Sequence, residues 1–373
     1  MPPPVSAFRL FPAPPSITFA EDAKLKLGVA IAVDELKKAR AGVTPPFRLA
    51  IIDLVGGSPL KWGAHEPDTM DFIASEAKII ALYAAFALRD MVRRFASLNR
   101  VQTVVAAAAG AMFGLPKPAK RVSLFDALRA EIDPALLAIA DPLLGSTKRS
   151  ERLPKYEHMF QVMPGDIPDF TAQYRSWLRA MIVPSSNTGA MECIHGIGYA
   201  YLNGAMKEAQ LFKSGVGPWL AGDFIGKYTY ARINSQNDQG VAQAGTALSI
   251  AKLMAIIIRH SLVLDGDAFT QMEKLLHDAV NGPDTPFLTR PAPYFSDDAL
   301  RIPINKITHI KLGLADLKAR NGGQSVGSEV WRLEGLFRPD RVYALSYQNL
   351  DWTKTSSEDL AFVIRRAIQS YEA

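Results

Sequence analysis

The sequence predicts a mixed α and β fold: an antiparallel β-sheet flanked by the two terminal helices, plus a large all-helical lobe. Three observations predict it. Strand-like runs gather near the two ends of the chain, helical periodicity fills most of what lies between, and a helical segment lies outside each group of strands. Strands from the two ends can then pair into one sheet.

The elements follow in order. The opening "MPPPVSAFRLFPAPPS" (1–16) is proline-rich and reads as an extended arm. It has no uninterrupted apolar stretch, so it does not read as a signal peptide. The expected location is cytoplasmic by default, and periplasmic or secreted if a leader was removed. Residues 17–41 carry apolar side chains at helical spacing. "FRLAIIDL" (47–54) is a strand, "GGSP" (56–59) a turn and "LKWGAHE" a returning strand, together a hairpin. From Ser75 to about residue 97 runs a helix whose first half, "IIALYAAFAL", is apolar on every face and should be buried all round. Helical patterns continue over 123–132, 134–144, 168–182, 188–213 and 245–260, between polar or proline-rich joints.

After residue 300 the period changes, and "KITHIKLGL", "SEVWRLEGL" and "RVYALSYQN" read as strands. The amphipathic "SSEDLAFVIRRAIQSYE" closes the chain, with Ser357 and Glu358 suited to its start. The expected division is an arm (1–16), a sheet lobe (17–67 with 300–373) and a helical lobe (68–299).

Composition excludes several classes. The 373 residues are 48% hydrophobic and 21% charged, with a net charge of +5. Charges of both signs are interspersed without a long basic block, so no nucleic-acid partner is expected. "VQTVVAAAAGAMFG" is too short and alanine-rich to read as a membrane span. The single cysteine, Cys193, cannot form an internal disulfide and reads as a buried thiol. Histidines are scattered, HExxH and CxxC are absent, and no metal or cofactor is expected.

The chemistry-bearing candidates are short. Occurrences of Ser-x-x-Lys include Ser58–Lys61, inside the expected hairpin turn, and Ser75–Lys78, opening the buried helix. On a helix, positions three apart share a face. A desolvated lysine amine gives up its charge more readily and can accept a proton from a nearby hydroxyl. The alternative is a serine that caps a helix and a lysine that is merely solvated. Occurrences of Ser-x-Asn include 185–187 and 235–237, and those of Lys-x-Gly include 213–215 and 311–313. Singly, each reads as an ordinary turn or strand-edge feature.

Taken in order, these motifs resemble those of the serine β-lactamase and penicillin-binding protein superfamily, most closely its class A β-lactamase-like branch. "ASEAKIIAL" resembles the family's Ser-x-x-Lys helix start, "PSSNTGA" its Ser-x-Asn loop, and "IKLGL" its Lys-Thr/Ser-Gly strand. The similarity spans roughly residues 20–373, with an apparent insertion between 98 and 180. It implies a β-lactamase/transpeptidase-like fold and a small-molecule or peptide-like acyl substrate. Ser75 would be the nucleophile, Lys78 its base and Ser185 a proton relay. Asn187 would hold Lys78 and the substrate, Lys311 would supply positive potential near Ser185 and the substrate's anionic end, and Gly313 would join it in the substrate-binding third motif. Backbone N–H groups of Ser75 and Leu314 would form an oxyanion hole.

Two departures stand out. Leu312 replaces the hydroxyl residue that in the family helps bind a substrate carboxylate. Either another hydroxyl, such as Thr308 or Ser325, substitutes, or the substrate lacks a carboxylate. The family's deacylating glutamate motif is also absent. Asp223, in "GPWLAGDFIGKYTY", is the candidate base there, or a turn aspartate. His195 and His309 read as structural, and Trp177, Trp219 and Tyr228 as either cleft or core aromatics. Three activities stay open: a serine hydrolase, a penicillin-binding-type transpeptidase or carboxypeptidase, and a catalytically silent ligand-binding member. Sequence does not give the oligomeric state.

Overall fold

The computed structural model describes residues 8–39, 47–113, 123–138, 153–226, 231–260, 266–282, 302–317, 325–351 and 357–373; over 99–113 it describes the helical backbone alone. Tyr228, the first seven residues of the arm, residues 139–144 and most of the two long joints lie outside them.

The chain begins with strand β1 (Phe19–Glu21) and helix α1 (Ala23–Ala39), followed by β2 (Arg48–Asp53) and β3 (Leu60–His65). The last elements are β9 (Ile307–Asp316), β10 (Ser325–Glu334), β11 (Val342–Asp351) and α11 (Ser357–Glu372). These two groups form one six-stranded sheet in the order β1-β3-β2-β11-β10-β9. The seam between the chain ends is the antiparallel β2–β11 pair, where Ile51 faces Leu345. All of its pairings are antiparallel except β1–β3, which is parallel. Helices cover both faces, so β2 reads as a continuous apolar run, Leu49 to Ile52, without in–out alternation. Helices α1 and α11 pack on each other. Gly28 lets them come close, because a Cβ there would lie 2.9 Å from the Ala367 carbonyl oxygen.

Between the two groups lie β4 (Asp71–Phe72), a 3-10 turn (Ala74–Ala77) and the long helix α2 (Lys78–Phe113). Ile79 to Leu88 of α2 are all buried. Full burial of a large aliphatic or aromatic side chain contributes about 1.5–3 kcal/mol. This helix is therefore the axis of the helical part. Around it come α3 (Leu124–Glu131), α4 (Asp133–Ala138), α5 (Tyr156–Met159), β5 (Phe160–Met163), β6 (Ile167–Phe170), α6 (Ala172–Ile182), α7 (Asn187–Ile197) and α8 (Tyr199–Glu208). Then follow β7 (Trp219–Leu220), β8 (Gln243–Gly245), α9 (Ala247–Ile258) and α10 (Gly266–Val280). Helix α9 packs on β2, β10 and β11, and α10 packs on β9.

Several expectations are refined. The helical part is not all helix: β4, β8 and β7 form a three-stranded sheet, and β5–β6 a hairpin. That hairpin occupies the start of the expected 168–182 helix. Its three-residue turn holds Gly165 and Asp166 at φ 83° and 57°, and Pro168 cannot donate to a helical ladder. The expected 188–213 helix breaks at Gly198, whose φ is 77°. Residues 19–21 form a strand rather than helix, because they pair with Leu60–Trp62. Helix α10 went unpredicted, and α2 extends past residue 97.

Candidate active site

Ser75 sits in the 3-10 turn between β4 and α2, not at a helix cap. The turn is fixed from several sides. Asn237, from the second Ser-x-Asn stretch, accepts from the Phe72 N–H at 2.7 Å and donates to the Phe72 carbonyl at 3.3 Å. The Ile73 N–H donates to the Gln243 carbonyl (3.2 Å), and Ser328 Oγ donates to the Ile73 carbonyl (2.9 Å). Ala74 is held at φ 46°, a left-handed conformation that costs an L-residue about 1–3 kcal/mol and persists only where surroundings impose it.

Strand β9 presses against this turn at Gly313. A Cβ there would lie 2.6 Å from the Ile73 carbonyl oxygen and 2.7 Å from the Glu76 nitrogen. Only glycine lets the strand approach so closely, which explains the residue type in "KLG". Ser75 and Leu314 consequently line one cleft of about 470 Å³, together with Asn187, Asp223, Phe224 and Arg232. The described residues give the Ser75 hydroxyl no hydrogen-bond partner.

Lys78, the first residue of α2, is fully buried rather than solvated. Its Nζ donates to the Ser185 carbonyl, to Ser185 Oγ at 3.2 Å and to Asn187 Oδ1 at 2.8 Å. It also lies 4.8 Å from the centre of the Phe224 ring. Ser185 has φ 55°, the second non-glycine left-handed residue at this place. The next residue, Ser186, caps α7 by accepting from the Gly189 N–H (3.1 Å), so Asn187 enters the helix facing Lys78. From the sheet side, buried Lys311 donates to Ser185 Oγ (2.8 Å) and to the Leu312 carbonyl (2.7 Å). Three short motifs scattered over some 240 residues thus meet on one hydroxyl.

The decoys part company. Ser58 hydrogen-bonds the Thr18 backbone and side chain at 2.8 Å each. Lys213 pairs with Asp68 on the surface (3.0 Å). Of the hydroxyls considered as stand-ins at Leu312, Thr308 donates to Glu334 (3.1 Å) and Ser325 to Asp316 (2.5 Å). Asp223 lines the cleft, yet its side chain is closed from solvent. Its Oδ1 accepts from the Ile225 N–H at 3.2 Å, and its Oδ2 lies 3.9 Å from His195 Nε2. Trp177 and Trp219 pack into hydrophobic clusters instead of the cleft. Cys193 is fully buried, which pushes its thiol up.

Glu76, next to the nucleophile candidate, went unnoticed in the sequence. It is fully buried and accepts from Ser346 Oγ (2.8 Å) and Gln348 Nε2 (3.3 Å) on β11. Burial pushes its carboxyl up to about 8, aided by Glu329 and opposed by those hydrogen bonds and by Lys311. His309, beyond Lys311 on β9, is pulled down to about 3 by burial, with Arg332 and His277 adding repulsion.

No family model matches the chain, and no curated protein matches it in sequence. Solved structures do. The TLA-1 extended-spectrum β-lactamase superposes with a TM-score of 0.50 at 10% identity, over 92% of this chain and 99% of that one. A class A β-lactamase from Bacteroides cellulosilyticus gives a TM-score of 0.50 at 10% identity, over 94% and 98% of the two chains. The chain has the fold of the serine β-lactamase and penicillin-binding protein superfamily.

Proposed function

We propose that this protein forms an acyl-enzyme on Ser75 with an amide, lactam or ester and then hydrolyses it or passes the acyl group on. One observation carries the reading: Ser185 Oγ accepts hydrogen bonds from both Lys78 and Lys311, and Lys78 also donates to Asn187, which lines the cleft with Ser75. A hydroxyl held between two amines can pass a proton from base to leaving group.

In this reading the Ser75 oxygen attacks the acyl carbon, and neutral Lys78 takes the hydroxyl proton, directly or through a water. The proton returns through Ser185 to the leaving nitrogen or oxygen as its bond to carbon breaks. The N–H groups of Ser75 and Leu314 stabilise the oxyanion, a contribution of about 10²–10³ in rate per donor. Asn187 keeps Lys78 in place. Deacylation is slow, because the Asp223 carboxylate is buried and engaged with its own loop instead of exposed to an attacking water.

A silent, ligand-binding member is the second reading. It draws on the Lys78 amine, whose hydrogen bonds to Ser185 and Asn187 leave the Ser75 hydroxyl unbonded. Intact-protein mass spectrometry with a fluorophosphonate and a penicillin separates the two. The first reading expects one adduct with either probe, lost in Ser75→Ala. Absence of any adduct on wild type establishes the second.

A further inference from the structure

We infer that the cleft selects acyl donors that carry no carboxylate, on the strength of an exposed leucine on the strand beside Ser75, two sequestered amines and a described lining in which aspartates outnumber cations. The inference rests on the acyl-enzyme reading above.

Consider first the strand beside Ser75. Side chains on a strand alternate between faces, so Leu312, Leu314 and Asp316 share one face of β9 while Lys311 and Gly313 share the other. Leu314 is 52% exposed and Asp316 is exposed, and both line the cleft. Leu312 is buried in the hydrophobic core, so this face offers a substrate one exposed aliphatic group, Leu314, and one carboxylate, Asp316, with no hydroxyl donor. Thr308 and Ser325 do not supply one, since their hydroxyls are bonded to Glu334 and Asp316.

The two lysine amines come next. Lys78 and Lys311 are both buried, do not line the cleft, and donate to Ser185 and to backbone or amide oxygens. Neither can turn toward a substrate anion without giving up bonds inside the protein, and a buried polar group that loses a hydrogen bond pays its desolvation cost in full. Among the described lining residues Arg232 is the one cation, and its guanidinium already donates to the Gly240 carbonyl at 3.0 Å. Asp238 and Asp316 stand against it, while the Asp223 side chain is closed from solvent. A carboxylate entering this cleft would leave water for apolar side chains and like charges. An uncharged ester or amide meets no such penalty.

The test uses two phenylacetate esters, one of 3-hydroxybenzoic acid and one of its methyl ester. They differ only in whether the leaving phenol carries a carboxylate. Phenol release gives the acylation rate of the full-length protein, divided for each ester by its own hydroxide rate. Fluorophosphonate labelling of Ser75 runs in parallel. The expected result is at least a tenfold preference for the methyl ester, equivalent to about 1.4 kcal/mol. Asp316→Asn, an exposed change, should narrow that preference about threefold. Equal or faster acylation by the carboxylate ester, with fluorophosphonate labelling intact, overturns the inference while leaving the acyl-enzyme reading standing. A protein that reacts with neither ester nor the fluorophosphonate overturns both.

Discussion

Lys311 Nζ on β9, an edge strand of the six-stranded sheet, donates to Ser185 Oγ, 126 residues earlier in the chain, at 2.8 Å. The same oxygen is 3.2 Å from Lys78 Nζ. If this shared hydroxyl relays a proton, Ser185→Ala should slow Ser75 acylation about 10²–10⁴-fold, the usual span for a positioned acid–base group. Stopped-flow or quenched labelling measures it. An unchanged rate would remove Ser185 from the pathway.

Gly313 gives a steric prediction. An added methyl would lie within 2.8 Å of three atoms, two of them backbone of the Ser75 turn. Gly313→Ala should therefore cost about 1–3 kcal/mol, as overpacking usually does, and should also depress Ser75 labelling because the turn must shift. Gly57→Ala, where nothing lies within 4 Å, is the matched control and should change neither. Denaturant melts of both variants decide it.

Asn237 makes a third case. It binds both backbone groups of Phe72, three residues before Ser75. Asn237→Ala leaves those groups unpaired, at a cost of about 1–3 kcal/mol per buried group. Stability and labelling rate should fall together. Loss of stability with a fully retained labelling rate would show that Asn237 supports the fold without positioning the nucleophile.

Glu76 and His309 set opposite pH trends. The Glu76 carboxyl titrates near 8 in the folded protein, against an ordinary 4.5. The folded state thus binds the extra proton across that window, and this contribution to stability is present below 4.5 and lost as pH rises toward 8, by up to about 1.4 kcal/mol per unit. His309 is displaced the other way, from 6.5 to about 3, so its contribution is present above 6.5 and lost as pH falls toward 3. Glu76→Gln should match wild type near pH 4 and exceed its stability increasingly up to pH 8. Urea unfolding at intervals from pH 4 to 9 reads this directly, and parallel curves for the two proteins would contradict it.

The lifetime of the acyl adduct tests the role given to Asp223. With its carboxylate buried beside His195 and bonded to the Ile225 N–H, Asp223→Asn should leave the adduct's decay unchanged within about twofold. A tenfold or greater slowing would restore Asp223 as the deacylating base.

Much of this architecture was legible in the sequence, for identifiable reasons. Strand β2 announces itself because a strand buried on both faces demands an apolar run, and β9, β10 and β11 because the period changes after residue 300. The helix from Lys78 does so because it is apolar all round. The order of the short motifs located Ser75, Lys78, Ser185, Asn187 and Lys311 together, although each motif has a decoy elsewhere in the chain. What escaped was decided by tertiary contact. Strand β1 exists only because β3 lies beside it, and the β5–β6 hairpin is shorter than any reliable period. Glu76 gives no local sign that Ser346 and Gln348 wait for it 270 residues later. Asn237 was readable as half of a rival Ser-x-Asn pair, and only the fold shows that its amide holds Phe72.

The nucleophile assigned to this site is Ser75, and peptide mapping of wild-type protein treated with a fluorophosphonate shows which side chain reacts. The expected result is a single, near-stoichiometric adduct on Ser75, absent from Ser75→Ala and strongly slowed in Lys78→Met. An adduct on Ser58 or Ser185, or an equal adduct in the Ser75→Ala protein, would exclude Ser75.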